Sequence, residues 1–178
     1  MLAHSMARRL TEVRLESQLS YLAPDGQTQV GVEYRDRKPQ RIHSVTLVAS
    51  QWEADCPGCE NLREDLFAQV VEPVFSQSKV KPDRDTHIWI NPFGPVIEGG
   101  PALHAGLTGR KNMVDTYGEF SRHSGSALSG KDPLRIDRVG AYAARHAAQN
   151  VVAAGLAEEC EVALSYSIGQ AGPVSLQV

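Results

Sequence analysis

Cysteine is scarce: the 178-residue chain carries three, an odd number. An odd count argues against a closed disulfide framework. A cationic surplus is also missing. Eighteen Lys and Arg stand against 21 Asp and Glu, for a net charge of −3. That balance gives no global attraction to nucleic acid or to an anionic membrane. An anion site, if there is one, has to be a local patch. No apolar run approaches the roughly 20 residues that span a bilayer, and the N-terminus does not read as a signal peptide. The expected compartment is therefore the cytosol. No repeat of fixed period and no low-complexity tract appears.

What is present is concentrated between Gly94 and Asp137. Glycines recur there beside Arg110, Lys111 and Lys131. Glycine lets backbone N–H groups converge on a ligand. Arg and Lys add formal charge. Together they ask for an anion, most simply a polyphosphate. Asp132 can cap a helix and Pro133 suits its first turn, so a helix is predicted over 133–154, with Gly155 as its stop. Ser129, Gly130 and Lys131 would then lie at a helix N-terminus, where unpaired N–H groups favour phosphate. Lys131 and Arg135 would share one face if the helix is regular there.

Elsewhere the periodicity is readable. Leu2, Met6, Leu10 and Val13 predict an amphipathic helix over 2–17. Pro24-Asp25-Gly26 is a turn signal. Val30, Val32 and Tyr34 alternate, then Val45 and Leu47, around a turn in Asp36 to Pro39, which predicts a hairpin. Leu62, Leu66, Phe67 and Val70 mark a helix expected to stop by Pro73. Residues 87–90 form a short strand, and a second hairpin is predicted from the alternations Val162–Ile168 and Val174–Val178. The class is α+β, with helices packed on mostly antiparallel sheets. Two domains are expected, 1–98 and 99–178. Cys56 and Cys59 form Cys-Pro-Gly-Cys. That pair can be read as a redox couple, as half of a zinc site, or as two reduced thiols in a loop, the reading favoured here.

Several runs in register carry a resemblance. They include Ala23-Pro24-Asp25-Gly26, Ile90-Asn91-Pro92, Gly99-Gly100-Pro101 and Gly106-Leu107-Thr108-Gly109-Arg110-Lys111. They continue with Ser129-Gly130-Lys131-Asp132-Pro133, Ile136-Asp137-Arg138 and Ser165-Tyr166-Ser167-Ile168-Gly169. A single glycine-rich match is weak; so many in order are not. The sequence resembles the S-adenosylmethionine synthetases (methionine adenosyltransferases), over that family's middle and part of its last third. The family's first portion, with its catalytic His and several ion ligands, is expected to lie outside this chain.

The resemblance implies repeated α/β units and the conversion of ATP, L-methionine and water to S-adenosylmethionine, phosphate and diphosphate. It also implies two Mg²⁺ per site, K⁺, and an active site at the interface of a homodimer or dimer of dimers. It implies no nucleic acid and no membrane as partner. By the same resemblance, Asp25, Gly26 and Gln27 lie near the nucleotide. Arg110, Lys111 and Lys131 hold phosphates, with Arg110 and Lys131 as the catalytic cations. Ala127 contributes a close backbone contact to ATP, and His104 lies beside both ATP and methionine. Arg135 faces the methionine carboxylate and Asp137 holds magnesium. Taken alone, Arg110 and Lys111 read more readily as solvated loop charges, and Asp137 equally well as a surface ion-pair partner.

Departures from the family pattern weaken methionine and adenine binding more than the phosphate cradle. Gln27 stands in place of a lysine and His104 in place of an aspartate. Arg135 stands in place of a lysine. A second reading is thus a non-catalytic nucleotide- or polyphosphate-binding homologue, or a regulatory partner of a full-length synthetase. A thiol redox module built on Cys56 and Cys59 is a distant third.

Overall fold

The computed structural model describes all residues except 54–58, Glu98, Arg110, Asp115 and Gly125, and the side chains of Cys59 and Glu119. Cys56, and with it any pairing with Cys59, lies outside the described residues. The chain folds as two compact units, Met1–Gly106 and Leu107–Val178. The architecture is α+β, as the alternating and helical patterns predict.

In the first unit, helix α1 spans Leu2–Leu15. Met6 and Val13 are fully buried, two helical turns apart, while Leu2 and Leu10 pack at the margin of the same stripe. Arg8 and Glu12, four residues apart, pair on the solvent side. Strands β1 (Leu22–Arg35) and β2 (Lys38–Gln51) form a long antiparallel hairpin. Its turn residues Asp36 and Arg37 both have positive φ, the backbone that a two-residue hairpin turn requires. Pro24-Asp25-Gly26 does not form the predicted turn. It lies inside β1, where the register slips between Leu22 and Gly26. Pro24 has no N–H to give the ladder, so the strand is interrupted there rather than reversed.

Strands β3 (His87–Ile90) and β4 (Val96–Ile97) both run parallel to β2, on its other edge. The antiparallel hairpin supplies most of the sheet, and these short additions make it mixed. Asn91 joins them. Its amide Oδ1 accepts from Ala49 N and its Nδ2 donates to Ala49 O, both at 2.9 Å. The side chain thus takes the place of a strand residue where β3 has ended and β4 has not begun. Ile42, Val45, Leu47, Ala49 and Ile90 line the inner face and meet Leu66, Val70, Val71 and Phe75.

Those last residues lie on a helical run: α2 (Leu62–Leu66), a π-helical turn (Phe67–Val71) and α3 (Glu72–Ser76). The predicted stop at Pro73 does not occur. Proline removes the N–H that would bond the carbonyl of Gln69 four residues back. The wider π turn makes room for the ring. Arg9 of α1 then donates from Nε to Gln69 O at 3.0 Å, so the orphaned carbonyl is satisfied from a neighbouring helix.

In the second unit, α4 spans Ile136–Ala153, and β5 (Ala163–Ser165) pairs antiparallel with β6 (Ser175–Gln177). Gly155 ends α4 at φ +71, with Gly155 N donating to Val152 O and Leu156 N to Val151 O. That double closure is the helix stop the glycine predicts. A Cβ at Gly140 would lie 3.2 Å from the Tyr166 ring, so glycine lets the helix approach that ring closely. The helix starts later than the expected Pro133. Asp132 Oδ1 accepts from Leu134 N in a local turn and Arg135 takes the cap position without a side-chain cap. Lys131 and Arg135 therefore do not share a helical face.

Candidate functional site

The candidate residues fall on both units. In the first unit the Pro24 interruption turns Asp25 out of the ladder. Its Oδ1 accepts from Gly26 N at 2.8 Å and its Oδ2 from Gly100 N at 3.1 Å. Gly100 has φ +100, a conformation that disfavours side chains. Its carbonyl accepts from His104 N at 3.0 Å. One carboxylate thus ties the start of β1 to the 99–104 loop, which brings the Asp25 and His104 segments together. Gly99 has no room for a side chain: an added Cβ would sit 2.7 Å from Asp25 Cβ and against Ser50 Oγ. Gln27 is paired with Val48 in the sheet, and the His104 side chain is exposed.

In the second unit a polar cluster forms just ahead of α4. Lys131 Nζ donates to Ser126 Oγ at 2.7 Å and to Asp137 Oδ2 at 2.5 Å. Lys131 is the larger cause that holds the Asp137 carboxyl below the usual carboxylate range, with Ser126 and Arg135 assisting against partial desolvation. Lys131 and Asp137 are thus each other's counter-ion here. Asp137 also lies in the first turn of α4, where the helix dipole favours an acid. The Lys131 amide accordingly sits in a turn, donating to Leu128 O at 3.2 Å, and not at a helix N-terminus.

Ala127 faces the 107–111 loop: a Cβ built at Gly109 would be 3.3 Å from it. That brings the loop preceding Lys111 beside the loop preceding Lys131. Lys111 and Arg135 are exposed. Arg110 lies outside the described residues. Among those described, no group of three or more His, Cys, Asp or Glu side chains is arranged to hold a metal. A single carboxylate still suits magnesium when phosphate oxygens and water complete its shell, so Asp137 fits that role as one ligand. None of the described helices is long and apolar enough to cross a membrane.

Reading by spacing passed over Arg138 and Ser126. Ser126 is a plain loop serine until Lys131 is seen to reach it. Arg138 donates to the carbonyls of both Leu128 and Lys131 and to Tyr142 Oη. Its place in the matching run Ile136-Asp137-Arg138 was an available signal.

Two sheet-and-helix units with glycine-turned loops, one of which seats a lysine–aspartate pair, define an α+β protein with a polar site ahead of a helix. Comparison with known proteins narrows this. Residues 1–96 match the S-adenosylmethionine synthetase central domain, and residues 98–178 match the C-terminal domain of the same family. The chain belongs to the S-adenosylmethionine synthetase family. It is 52% identical over 182 residues to the S-adenosylmethionine synthase of Trichormus variabilis, covering 98% of this chain and 43% of that protein. Against the synthase of Microcystis aeruginosa it is 50% identical, covering 99% and 44%. Against that of a Synechococcus strain the identity is 52%, covering 99% and 45%. The chain thus spans less than half the length of the relatives it matches.

Proposed function

We propose that the chain serves the synthesis of S-adenosylmethionine from ATP, L-methionine and water, with release of phosphate and diphosphate. The observation that carries this is the unbroken match of nearly the whole chain, in order, to two domains of that one family. A thioether sulfur has no proton to lose. Its lone pair attacks C5′ of the ribose, the C5′–O bond breaks, and the triphosphate leaves whole with the electron pair. Water then cleaves the triphosphate to diphosphate and phosphate. No general base is needed for the first step. The protein aligns sulfur, carbon and leaving oxygen, and stabilises charge growing on the phosphates.

In this reading Lys131, Arg110 and Lys111 take the phosphate oxygens, and Ala127 offers a close backbone surface to the nucleotide. Asp25 and Gly26 flank the nucleoside, Gln27 lies beside the phosphates, His104 meets both ATP and methionine, and Arg135 pairs with the methionine carboxylate. Asp137 would be one ligand of a bound magnesium, which would supply charge screening to the phosphates, while potassium enters through the family alone. A phosphate arriving at Lys131 replaces Asp137 as its counter-ion and leaves that carboxylate free. The central-type and C-terminal-type domains divide at 98/99, the working assembly is a homodimer or dimer of dimers, and the compartment is the cytoplasm.

Gln27 and His104 favour a second reading, a polyphosphate-binding homologue or regulatory partner, because each departs from the family's charge. The test is direct. The purified chain is incubated with ATP, methionine, Mg²⁺ and K⁺, and S-adenosylmethionine is quantified. In parallel, inorganic tripolyphosphate is titrated calorimetrically. Product formation supports the first reading; tripolyphosphate binding without product supports the second. Lys131→Ala should weaken tripolyphosphate about tenfold, the loss of one charge-assisted hydrogen bond. Undiminished affinity in that variant would overturn the phosphate role of the cluster.

A further inference from the structure

Gly130 has φ +75 with nothing within 4 Å of a Cβ placed on it. The loop before Lys131 is therefore a left-handed turn with no packing neighbour at its tip. Left to itself, such a turn would sample many backbone states. A single backbone bond, from Lys131 N to Leu128 O at 3.2 Å, closes it, and one side chain from α4 braces both of its ends. Arg138 donates from Nε to Lys131 O at 3.1 Å and from Nη2 to Leu128 O. Its Nη1 donates to Tyr142 Oη at 2.7 Å, and the guanidinium lies 5.5 Å from the centre of the Tyr142 ring.

The two carbonyls flank the turn, one before Gly130 and one after it. A planar guanidinium presents donors in a fixed fork, so it sets the separation of two acceptors in a way a lysine ammonium does not. Tyr142 lies four residues on along α4 and fixes the third edge of the fork. The anchor is thus a regular helix, and the load is the backbone that carries Lys131.

We infer that Arg138, braced by Tyr142, is the positioning residue for Lys131: it holds the 128–131 turn so that the ammonium reaches a phosphate chain. It touches no phosphate itself. The inference rests on the phosphate role proposed for Lys131, but its structural half does not. With the turn unpinned, the lysine must be ordered at the moment of binding, and that loss appears as weaker affinity.

The experiment uses the full chain and has two arms. In the first, amide hydrogen exchange is followed at Lys131, whose N–H bonds Leu128 O, in wild type, Arg138→Ala, Arg138→Lys and Tyr142→Phe, with no ligand present. Exchange should accelerate at least tenfold in Arg138→Ala, less in Arg138→Lys, and least in Tyr142→Phe. Unchanged exchange in Arg138→Ala would overturn the inference.

The second arm titrates inorganic tripolyphosphate into wild type, Lys131→Ala, Arg138→Ala and the double variant. Arg138→Ala should weaken binding several-fold when Lys131 is present and by nothing further when it is absent. Equal losses in both backgrounds would mean that Arg138 binds phosphate directly, and would also overturn the inference. If Lys131→Ala itself changes nothing, the phosphate reading fails, while the exchange arm still decides whether Arg138 holds the turn. A general loss of folding in Arg138→Ala would appear as faster exchange throughout α4, and would overturn the local role.

Discussion

Replacing Asn91 should unfasten the first unit. The residue is 2% exposed. Its amide makes two hydrogen bonds to Ala49, one to the N–H and one to the carbonyl. It also sits at φ 42, in the left-handed region that asparagine tolerates and alanine resists. Asn91→Ala would leave a buried donor and a buried acceptor unmet, at about 1–3 kcal/mol each, with about 1 kcal/mol more for the backbone. The expected loss is about 3–7 kcal/mol, a large share of the stability of a typical domain.

Urea unfolding followed by tryptophan fluorescence reads this directly, because Trp52 and Trp89 both lie in the first unit. Asn91→Gly removes the amide without the φ penalty, so it should be about 1 kcal/mol milder than alanine. Asn91→Asp separates the two bonds. Its carboxylate can accept from Ala49 N but faces Ala49 O with a second acceptor. Burial and that carbonyl would raise the new carboxyl's pKa in the folded state above the unfolded value of about 3.9. The folded protein then binds the extra proton more tightly, so relative stability should recover as pH falls through the folded pKa. A loss below about 1 kcal/mol in Asn91→Ala, or an Asn91→Asp deficit that ignores pH, would refute the account of Asn91 as a strand substitute.

Further expectations concern other parts of the first unit. Arg41, bonded to both oxygens of Asp83 at 2.9 Å, holds that carboxyl well below the usual carboxylate range. A depressed folded pKa stabilises above the unfolded value of about 4 and is lost below it. Thermal midpoints measured from pH 6 down should therefore fall through that window in wild type and less steeply in Asp83→Asn. Gly99→Ala should push Asp25 out of its bond to Gly100 and destabilise by about 1–3 kcal/mol, as overpacking does. Calorimetry would show it as a lower melting temperature, and an unchanged midpoint would mean that the 99–104 loop yields freely.

Where local preference and tertiary packing agreed, the elements were legible. Met6 and Val13 repeat at helical spacing and are both buried, so α1 was readable, though it ends at Leu15 and not at the expected residue 17. The hairpin alternation around Asp36–Arg37 was readable for the same reason. Gly155 needs only its own backbone freedom to stop α4, and it does so. Three local signals were overruled. Proline at 24 and at 73 has no N–H wherever it stands, but whether the chain turns there depends on neighbours. At Pro24 the strand resumes because Gly26 onward pairs with β2. At Pro73 the helix continues because Arg9, distant in sequence, meets the carbonyl left over. Asp132 spends its carboxylate on a local turn, and the helix begins after it.

The sequence by itself determined the family and the α+β class, because these depend on residue types in order. Only the tertiary structure decided what each charge faces. Lys131 meets Asp137 and Ser126, Asp25 meets the amide of Gly100, and Arg138 spans two carbonyls. The physical reason is reach: hydrogen bonds and ion pairs act over about 3 Å, and which atoms come that close is set by the path of the backbone, which no local pattern encodes.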